Sequence, residues 1–144
     1  MLSSSRNQRG LSESKIENCR AIWDYLDGNQ VCLLIVFEAA SHGSRTRFNQ
    51  AANAVYLGAD VEPGIGTEAR VRMSEISCLA HELAHADRYR MGFNRTTNQP
   101  DVLLDEAEAS LHASFMEALN AKERQDLVED ARTQIAAWQQ QTVI

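Results

Sequence analysis

The sequence predicts an α+β fold with one small mixed sheet, and two features of the hydrophobic pattern support this. Residues 31–37 form a continuous apolar run bounded by turn-forming residues, which indicates a short strand buried on both faces. Apolar residues also recur at helical spacing in four segments, which begin near Ser12, Thr67, Pro100 and Asn120. The expected order is therefore one helix, two or three strands and three further helices in a single domain.

The first helix and the later strands have recognisable boundaries. Ser12 is a favourable N-cap residue and Gly28 a favourable helix stop, so the first helix is expected between them. Two more extended segments are expected at residues 45–49 and 54–57, and Gly58 ends the second of these. Together with the apolar run, they would make the small sheet.

The longest predicted helix follows a segment rich in Gly and Pro, residues 62–66. Thr67 is expected to cap this helix, which would run to about Met91 with Gly92 as its C-terminal stop. One face of the helix carries an apolar stripe that would pack on the core: Ile76, Leu79, Leu83 and Ala86.

Two further helices are predicted in the C-terminal part of the chain. Pro100 is favoured in the first turn of a helix and is expected to open one that runs to about Leu119. Asn120 and Glu123 then form a capping-box pattern at the start of the last helix. That helix would direct four apolar residues inward: Leu127, Ala131, Ile135 and Trp138.

Length and charge narrow the class of protein. The chain has 144 residues and a formal net charge of −6, from 14 Lys and Arg residues against 20 Asp and Glu residues. This length suits one domain. The acidic balance argues against nucleic acid as a partner, because phosphate binding needs clustered basic residues. The longest apolar stretch is far too short to cross a membrane, which takes about 20 residues.

The cysteines and the N-terminal segment bear on location. Three cysteines in no paired pattern favour a reducing compartment over a disulfide framework. Residues 1–11 are rich in Ser and Arg and lack the apolar core of a secretory signal peptide. We therefore expect them to be a flexible, solvated leader before a domain over residues 12–144, in a cytoplasmic protein. The alternative is an address that exports the protein from bacteria into a target cell.

The pentapeptide His81-Glu82-Leu83-Ala84-His85 carries the clearest chemical signal, and it falls within the long predicted helix. Residues four apart lie on the same helical face, so the two imidazoles can reach one metal ion together. Glu82 lies one step round the helix, where its carboxylate can reach a water in an open coordination position. Two imidazoles beside an open position indicate a catalytic zinc centre. The alternative is that the two histidines and Glu82 lie on an ordinary solvated helix face.

A catalytic zinc ion needs a third protein ligand from elsewhere in the chain. The metzincin pattern is excluded, since Arg88 stands where it needs Gly and Met91 where it needs His. The next predicted helix carries carboxylates near its start, and the short connecting loop makes the two helices neighbours. Three acidic residues are thereby available to face the histidine pair: Asp105, Glu106 and Glu108.

At these residues the chain resembles the gluzincin metallopeptidases, whose second signature is a zinc-binding Glu on the helix after the HExxH helix. The stretch from Asp105 to Ala109 is similar to that signature. The resemblance implies Glu106 as the third ligand, with Glu108 as its rival. Two positions apart on a helix, these side chains cannot both face the metal.

The chain departs from the gluzincin pattern at Ser110, where many members place an Asp that orients a zinc-binding His. A serine can still accept that hydrogen bond, and Asp105 or Asp101 are possible substitutes. The resemblance also implies a sheet whose edge strand binds the substrate as an added strand, with residues 54–57 as the candidate edge.

The resemblance implies a zinc-dependent endopeptidase that acts on a protein or peptide substrate. His81, His85 and Glu106 would hold Zn²⁺, and Glu82 would serve as the general base. The chain is also similar to zinc-protease effectors that bacteria inject and to toxin metallopeptidase domains, which is consistent with a regulatory partner protein. The alternative is a metal-stabilised or degenerate helical domain that binds a protein without turnover. Six residues are candidates for stabilising the oxyanion: His42, Arg45, Arg47, Tyr56, Tyr89 and His112.

Overall fold

The structure, a computed structural model, describes residues 5–94 and 96–142 and confirms the α+β class. Its helices and strands follow in the order α1 (Glu13–Tyr25), β1 (Leu33–Ile35), β2 (Arg47–Asn49), β3 (Ala54–Tyr56), α2 (Ala69–Arg72), α3 (Glu75–Arg90), α4 (Asp101–Ser114) and α5 (Ala121–Thr142). Within these ranges no helix combines the length and the apolar character that a membrane crossing requires.

The small sheet is mixed, with strand order β1-β3-β2. Strand β3 pairs in parallel with β1 and antiparallel with β2. The expectation that residues 31–37 form a strand buried on both faces is wrong, because β1 contains one exposed and two half-buried residues. Leu33 is 66% exposed and Phe37, beyond the strand, is 73% exposed.

The predicted edge strand is also wrong. Residues 54–57 contain β3, which lies in the centre of the sheet, so the two edges are β1 and β2. Only β2 is joined to the histidine-bearing helix by a hydrogen bond, from the backbone N–H of Phe48 to Glu82, among the contacts given for the described strands. The antiparallel edge is therefore the one that borders the helix α3.

The hydrophobic core lies between the sheet and the helices α1, α3, α4 and α5, with α3 at its centre. Leu79 and Leu83 of the predicted stripe are buried there. Trp23 is also buried, and its indole N–H donates to the carbonyl of Cys32 at 3.2 Å. Trp138, predicted to face inward, is only half-buried.

The helix α3 begins later than the sequence indicated. Thr67 is not its cap, because the short helix α2 ends before Met73, whose backbone is extended at φ −57° and ψ 144°. Ser74 caps α3 instead by accepting a hydrogen bond from the N–H of Ser77. The expected stop is confirmed, since the helix ends at Arg90 and Gly92 adopts a φ of +100°.

The two C-terminal helices lie where they were predicted, with one change of length. The helix α4 ends at Ser114 rather than near Leu119. The capping box at the start of α5 is confirmed, since the N–H of Glu123 donates to Asn120 Oδ1 at 2.8 Å. The N–H of Asn120 donates back to Glu123 Oε1 at 2.7 Å.

The N-terminal segment differs from the solvated leader that the sequence indicated. Residues 1–4 lie outside the described part of the chain, but Arg6 and Leu11 are buried. The N–H of Leu11 donates to the carbonyl of Ala39 at 2.8 Å, and the carbonyl of Gln8 accepts from Gly43 at 2.7 Å. The prediction of a solvated segment is wrong for these residues because the guanidinium of Arg6 is buried and donates hydrogen bonds to backbone carbonyls. A polar composition does not reveal such hydrogen bonds.

Candidate metal centre

The helix α3 places His81 and His85 one turn apart on the same face. Their ring centroids are 4.8 Å apart, and the rings meet edge to face. Both side chains are buried. Burial lowers the pKa of His85, which favours the neutral imidazole that a metal ligand requires.

Glu106 of α4 faces this histidine pair. Its Oε2 lies 3.2 Å from His81 Nε2 and within contact distance of His85 Nε2. The three potential ligand atoms all lie within 4.8 Å of one another. The structure thus brings together the three residues that the sequence analysis selected as ligands, and this buried group can hold a metal ion.

Glu108, the rival ligand, points elsewhere. Its side chain is 47% exposed and pairs with Arg88 of α3. Since residues two apart on a helix project about 160° from each other, only one of the two glutamates can face the histidines. That residue is Glu106, which is 6% exposed.

The second nitrogen of His81 is held by Ser110. His81 Nδ1 lies 2.8 Å from Ser110 Oγ, and that hydroxyl donates its proton to Asp130 Oδ2 at 2.6 Å. A hydroxyl has a single proton, so Ser110 Oγ accepts from the Nδ1–H of His81. The Nε2 of a neutral His81 is then unprotonated and turned towards Glu106.

This tautomer leaves two hydrogen-bond acceptors, His81 Nε2 and Glu106 Oε2, 3.2 Å apart in a buried place. Two lone pairs at that separation repel each other unless a positive charge lies between them. A metal ion bound by both atoms supplies such a charge. The donor set of two imidazoles and one carboxylate fits a divalent cation.

Asp130 of α5 and Arg70 of α2 complete the surroundings of the site, and the sequence analysis missed both. Arg70 binds Asp130 through two hydrogen bonds of 2.7 and 2.8 Å, and its Nη1 lies 3.4 Å from Glu106 Oε1. One signal was available, since Asp130 is a carboxylate between Leu127 and Ala131 on the buried face of α5.

Three buried carboxylates lie at this centre: Glu82, Glu106 and Asp130. Burial raises the pKa of Asp130, but its hydrogen bonds with Arg70 lower it by more, so that pKa lies below its ordinary value. The guanidinium of Arg70 binds Asp130 and lies 3.4 Å from Glu106 Oε1. A divalent cation held by the ligand group would add positive charge next to these carboxylates and so favour their ionised form.

The side chain of Glu82 is fixed beside the ligand group. It is fully buried, and its Oε1 accepts a hydrogen bond of 3.0 Å from the backbone N–H of Phe48 in the edge strand β2. Its Oε2 lies 3.9 Å from His81 Nε2. A carboxylate thus stands next to the ligand atoms without belonging to the three-residue group.

Asp105, one of the two residues considered as substitutes at Ser110, lies on the other side of the centre. Its Oδ2 is 3.7 Å from His85 Nδ1. Asp101 lies away from the histidines and accepts a hydrogen bond of 3.4 Å from the indole N–H of Trp138. The carboxylate that is linked to His81, through the hydroxyl of Ser110, is therefore that of Asp130.

Two of the candidates for stabilising an oxyanion, Tyr89 of α3 and His112 of α4, contact other side chains. His112 Nε2 lies 2.8 Å from Asp87 Oδ2, in a contact that joins the two helices. Tyr89 packs against Phe48 with ring centroids 5.7 Å apart.

Of the other candidates, Arg47 and Tyr56 lie in β2 and β3, whereas His42 and Arg45 precede β2. Arg45 Nη1 lies 3.5 Å from Asp60 Oδ2. Arg47 covers the ring of Tyr56, with its guanidinium carbon 4.7 Å from the ring centroid. His42 is exposed. Arg70, whose Nη1 lies 3.4 Å from Glu106 Oε1, was not among the candidates.

Comparisons of the chain with protein-family models, with curated proteins and with solved structures give no match. The assignment of a metal and of an activity therefore depends on the geometry of the site.

Proposed function

We propose that this protein is a zinc-dependent endopeptidase of gluzincin type. One observation carries the proposal: His81, His85 and Glu106 converge in a buried group, and the carboxylate of Glu82 lies beside it. Two histidines and one glutamate form a donor set found in catalytic zinc sites that keep a position open for water. When bound, zinc supplies Lewis-acid polarisation of a water molecule and of a carbonyl oxygen.

In this mechanism Glu82 acts as the general base. It takes a proton from the attacking water, whose oxygen forms a bond to the carbonyl carbon of the peptide. The C–N bond then breaks, and Glu82 transfers the proton to the leaving amine. The N–H of Phe48 holds Oε1 of Glu82, which orients the carboxylate and directs Oε2 towards the ligand cluster.

An extended peptide substrate would lie along the strand β2. This strand is an edge of the sheet, and Phe48 joins it to the catalytic base. An extended segment can add to such an edge through backbone hydrogen bonds. This proposal replaces the earlier candidate edge, residues 54–57, which is covered by strands on both sides.

The alternative is a metal-stabilised helical domain that binds a protein partner without turnover. A purely structural zinc site is closed by four ligands and needs no carboxylate beside an open position. The buried Glu82 next to three ligands therefore favours the hydrolase. The three cysteines, all buried and free, support a reducing compartment, either the cytoplasm of the cell that makes the protein or that of a target cell.

The substitution Glu82→Gln tests the proposal. We expect the wild-type protein and the variant each to bind one zinc ion per chain, because Glu82 is not a ligand. Cleavage of a broad peptide library should fall by a factor of about 10²–10⁴ in the variant, since removing a general base costs that much.

The matched control is Glu108→Gln, which removes an exposed carboxylate on α4 and should leave cleavage unchanged. Equal cleavage by wild-type and Glu82→Gln proteins would exclude Glu82 as the base. Zinc binding without cleavage by either protein would favour the protein-binding alternative.

A further inference from the structure

We propose that Asp130 is a positioning residue for the metal ligand His81 and acts on it through the hydroxyl of Ser110. This inference rests on the proposed metal centre and assigns a role there to the last helix of the fold. Asp130 and Ser110 are both fully buried, so water does not compete for their hydrogen bonds.

The hydrogen bonds of Ser110 run in a defined direction, from His81 to Asp130. The Ser110 hydroxyl donates to Asp130 at 2.6 Å and receives the Nδ1–H of His81 at 2.8 Å. The negative charge of Asp130 therefore polarises the hydroxyl, which becomes a better acceptor for the imidazole N–H. The ring is held in one orientation and one tautomer, with Nε2 directed at the metal position.

Arg70 holds the carboxylate of Asp130 in place. Arg70 binds both of its oxygens, at 2.7 and 2.8 Å, in the planar two-point geometry that a guanidinium makes with a carboxylate. The same guanidinium lies 3.4 Å from Glu106 Oε1. Arg70 thus reaches the ligand Glu106 directly and the ligand His81 through Asp130 and Ser110.

The two histidines differ in how a carboxylate reaches them. His85 faces a carboxylate of α4 directly, with 3.7 Å between its Nδ1 and Asp105 Oδ2. His81 obtains its carboxylate from α5 through an intervening hydroxyl. The helix α5 makes the most extensive helix–helix packing of the fold with α4, which fixes Asp130 relative to Ser110. A hydroxyl therefore links His81 to its carboxylate by hydrogen bonds, whereas no group stands between His85 and Asp105.

The test compares Ser110→Ala, Asp130→Asn and the double variant in the full-length chain. Zinc affinity is measured by competition with a chromophoric chelator, and the geometry of the site by the visible absorption spectrum of bound Co²⁺. Removing a group that orients a ligand weakens metal binding by a factor of about 10–100. We expect that loss in each single variant, a shifted Co²⁺ spectrum, and no further loss in the double variant because both changes break the same chain.

Asp126→Asn is the matched control. Asp126 is another buried acid of α5, but it pairs with Arg72 and Lys122 and makes no contact with this chain of hydrogen bonds. Its substitution should leave zinc affinity and the Co²⁺ spectrum unchanged. Ser110→Thr keeps the hydroxyl and should bind zinc as the wild type does.

Wild-type affinity in Ser110→Ala and Asp130→Asn would overturn the proposal, as would losses that add in the double variant or an equal loss in Asp126→Asn. Loss of affinity in Ser110→Thr equal to that in Ser110→Ala would also overturn it. A wild-type protein that binds no zinc would instead refute the metal centre itself. Unfolding curves of the metal-free variants identify any loss that comes from misfolding, and the Co²⁺ spectrum of the folded fraction then decides.

Discussion

The Arg6 side chain is buried and that of Arg70 is only 13% exposed, yet their guanidinium groups bind partners of different kinds. Arg6 donates hydrogen bonds of 2.7–3.4 Å to backbone carbonyls, those of Asp60, Val61, Arg70, Val71 and Met73. Arg70 binds the carboxylate of Asp130 and lies beside that of Glu106. One arginine is thus surrounded by neutral dipoles and the other by charges.

Arg6 maintains the fold, whereas Arg70 maintains the candidate site. The carbonyls around Arg6 do not titrate and belong to the short 3-10 turn after β3, to α2 and to Met73, which follows α2. The carboxylates around Arg70 titrate, and one of them is a proposed metal ligand. The two regions also meet, because Arg6 binds the carbonyl of Arg70 and so helps to fix the backbone from which that side chain extends.

The largest effect is expected from Arg6→Met. The change leaves several buried carbonyls without a donor, at about 1–3 kcal/mol for each group left unsatisfied. We expect the free energy of unfolding to fall by about 3–5 kcal/mol, measured by chemical denaturation at neutral pH. Arg9→Met, which alters an exposed arginine of the same segment, is the control and should have little effect. Equal stability of the Arg6 variant and the wild type would contradict the role given to Arg6.

Arg70→Met should have a somewhat smaller effect that depends on pH. Removing the partner of a buried carboxylate costs about 2–4 kcal/mol at pH 7 in the metal-free protein. Burial raises the pKa of Asp130, but Arg70 lowers it more, so the net pKa lies below its ordinary value. A lowered pKa means that the ionised Asp130 stabilises the fold above the ordinary carboxyl range, and that this contribution is lost as the pH falls through the folded-state pKa.

The difference in unfolding free energy between wild type and Arg70→Met should therefore be largest at pH 6–7 and shrink below about pH 4. For Arg6→Met the difference should stay nearly constant over the same range, because carbonyls do not titrate. Denaturation series at several pH values test both statements. A pH-independent loss in Arg70→Met would show that its carboxylate partners do not determine its contribution.

The smallest effect concerns the start of α3, which follows the segment that contains Arg70 and that Arg6 contacts. Ser74→Ala removes the N-cap and should cost about 1 kcal/mol of stability. Thr67→Ala should cost less, since Thr67 precedes the short helix α2 and does not cap α3. Thermal unfolding of the two variants ranks them, and a larger loss for Thr67→Ala would restore the boundary first predicted from the sequence.

What could be predicted from the sequence is what depends on local spacing. The histidines of α3 converge because helical geometry places residues 81 and 85 on one face. The capping box at residues 120 and 123 is equally local. Glu106 was chosen by its resemblance to a known pattern, and the structure does place its side chain between the two rings.

What could not be predicted depends on contacts between distant residues. Arg70 and Asp130 are 60 positions apart, and no spacing rule joins them. The exposure of β1 was missed for a similar reason, since an apolar run looks the same whether the fold covers one face of the strand or both. The burial of Arg6 is also a long-range effect, because its acceptors lie 54 to 67 positions away.

The hydrogen bond between Ser110 and Asp130 has a consequence for engineering. A fragment that keeps α3 and α4 contains every proposed ligand and the proposed base, and a motif search would judge it complete. Transplanted into another scaffold, it would nevertheless lack the acid behind one imidazole. The smallest transferable unit of this centre therefore extends through the final helix.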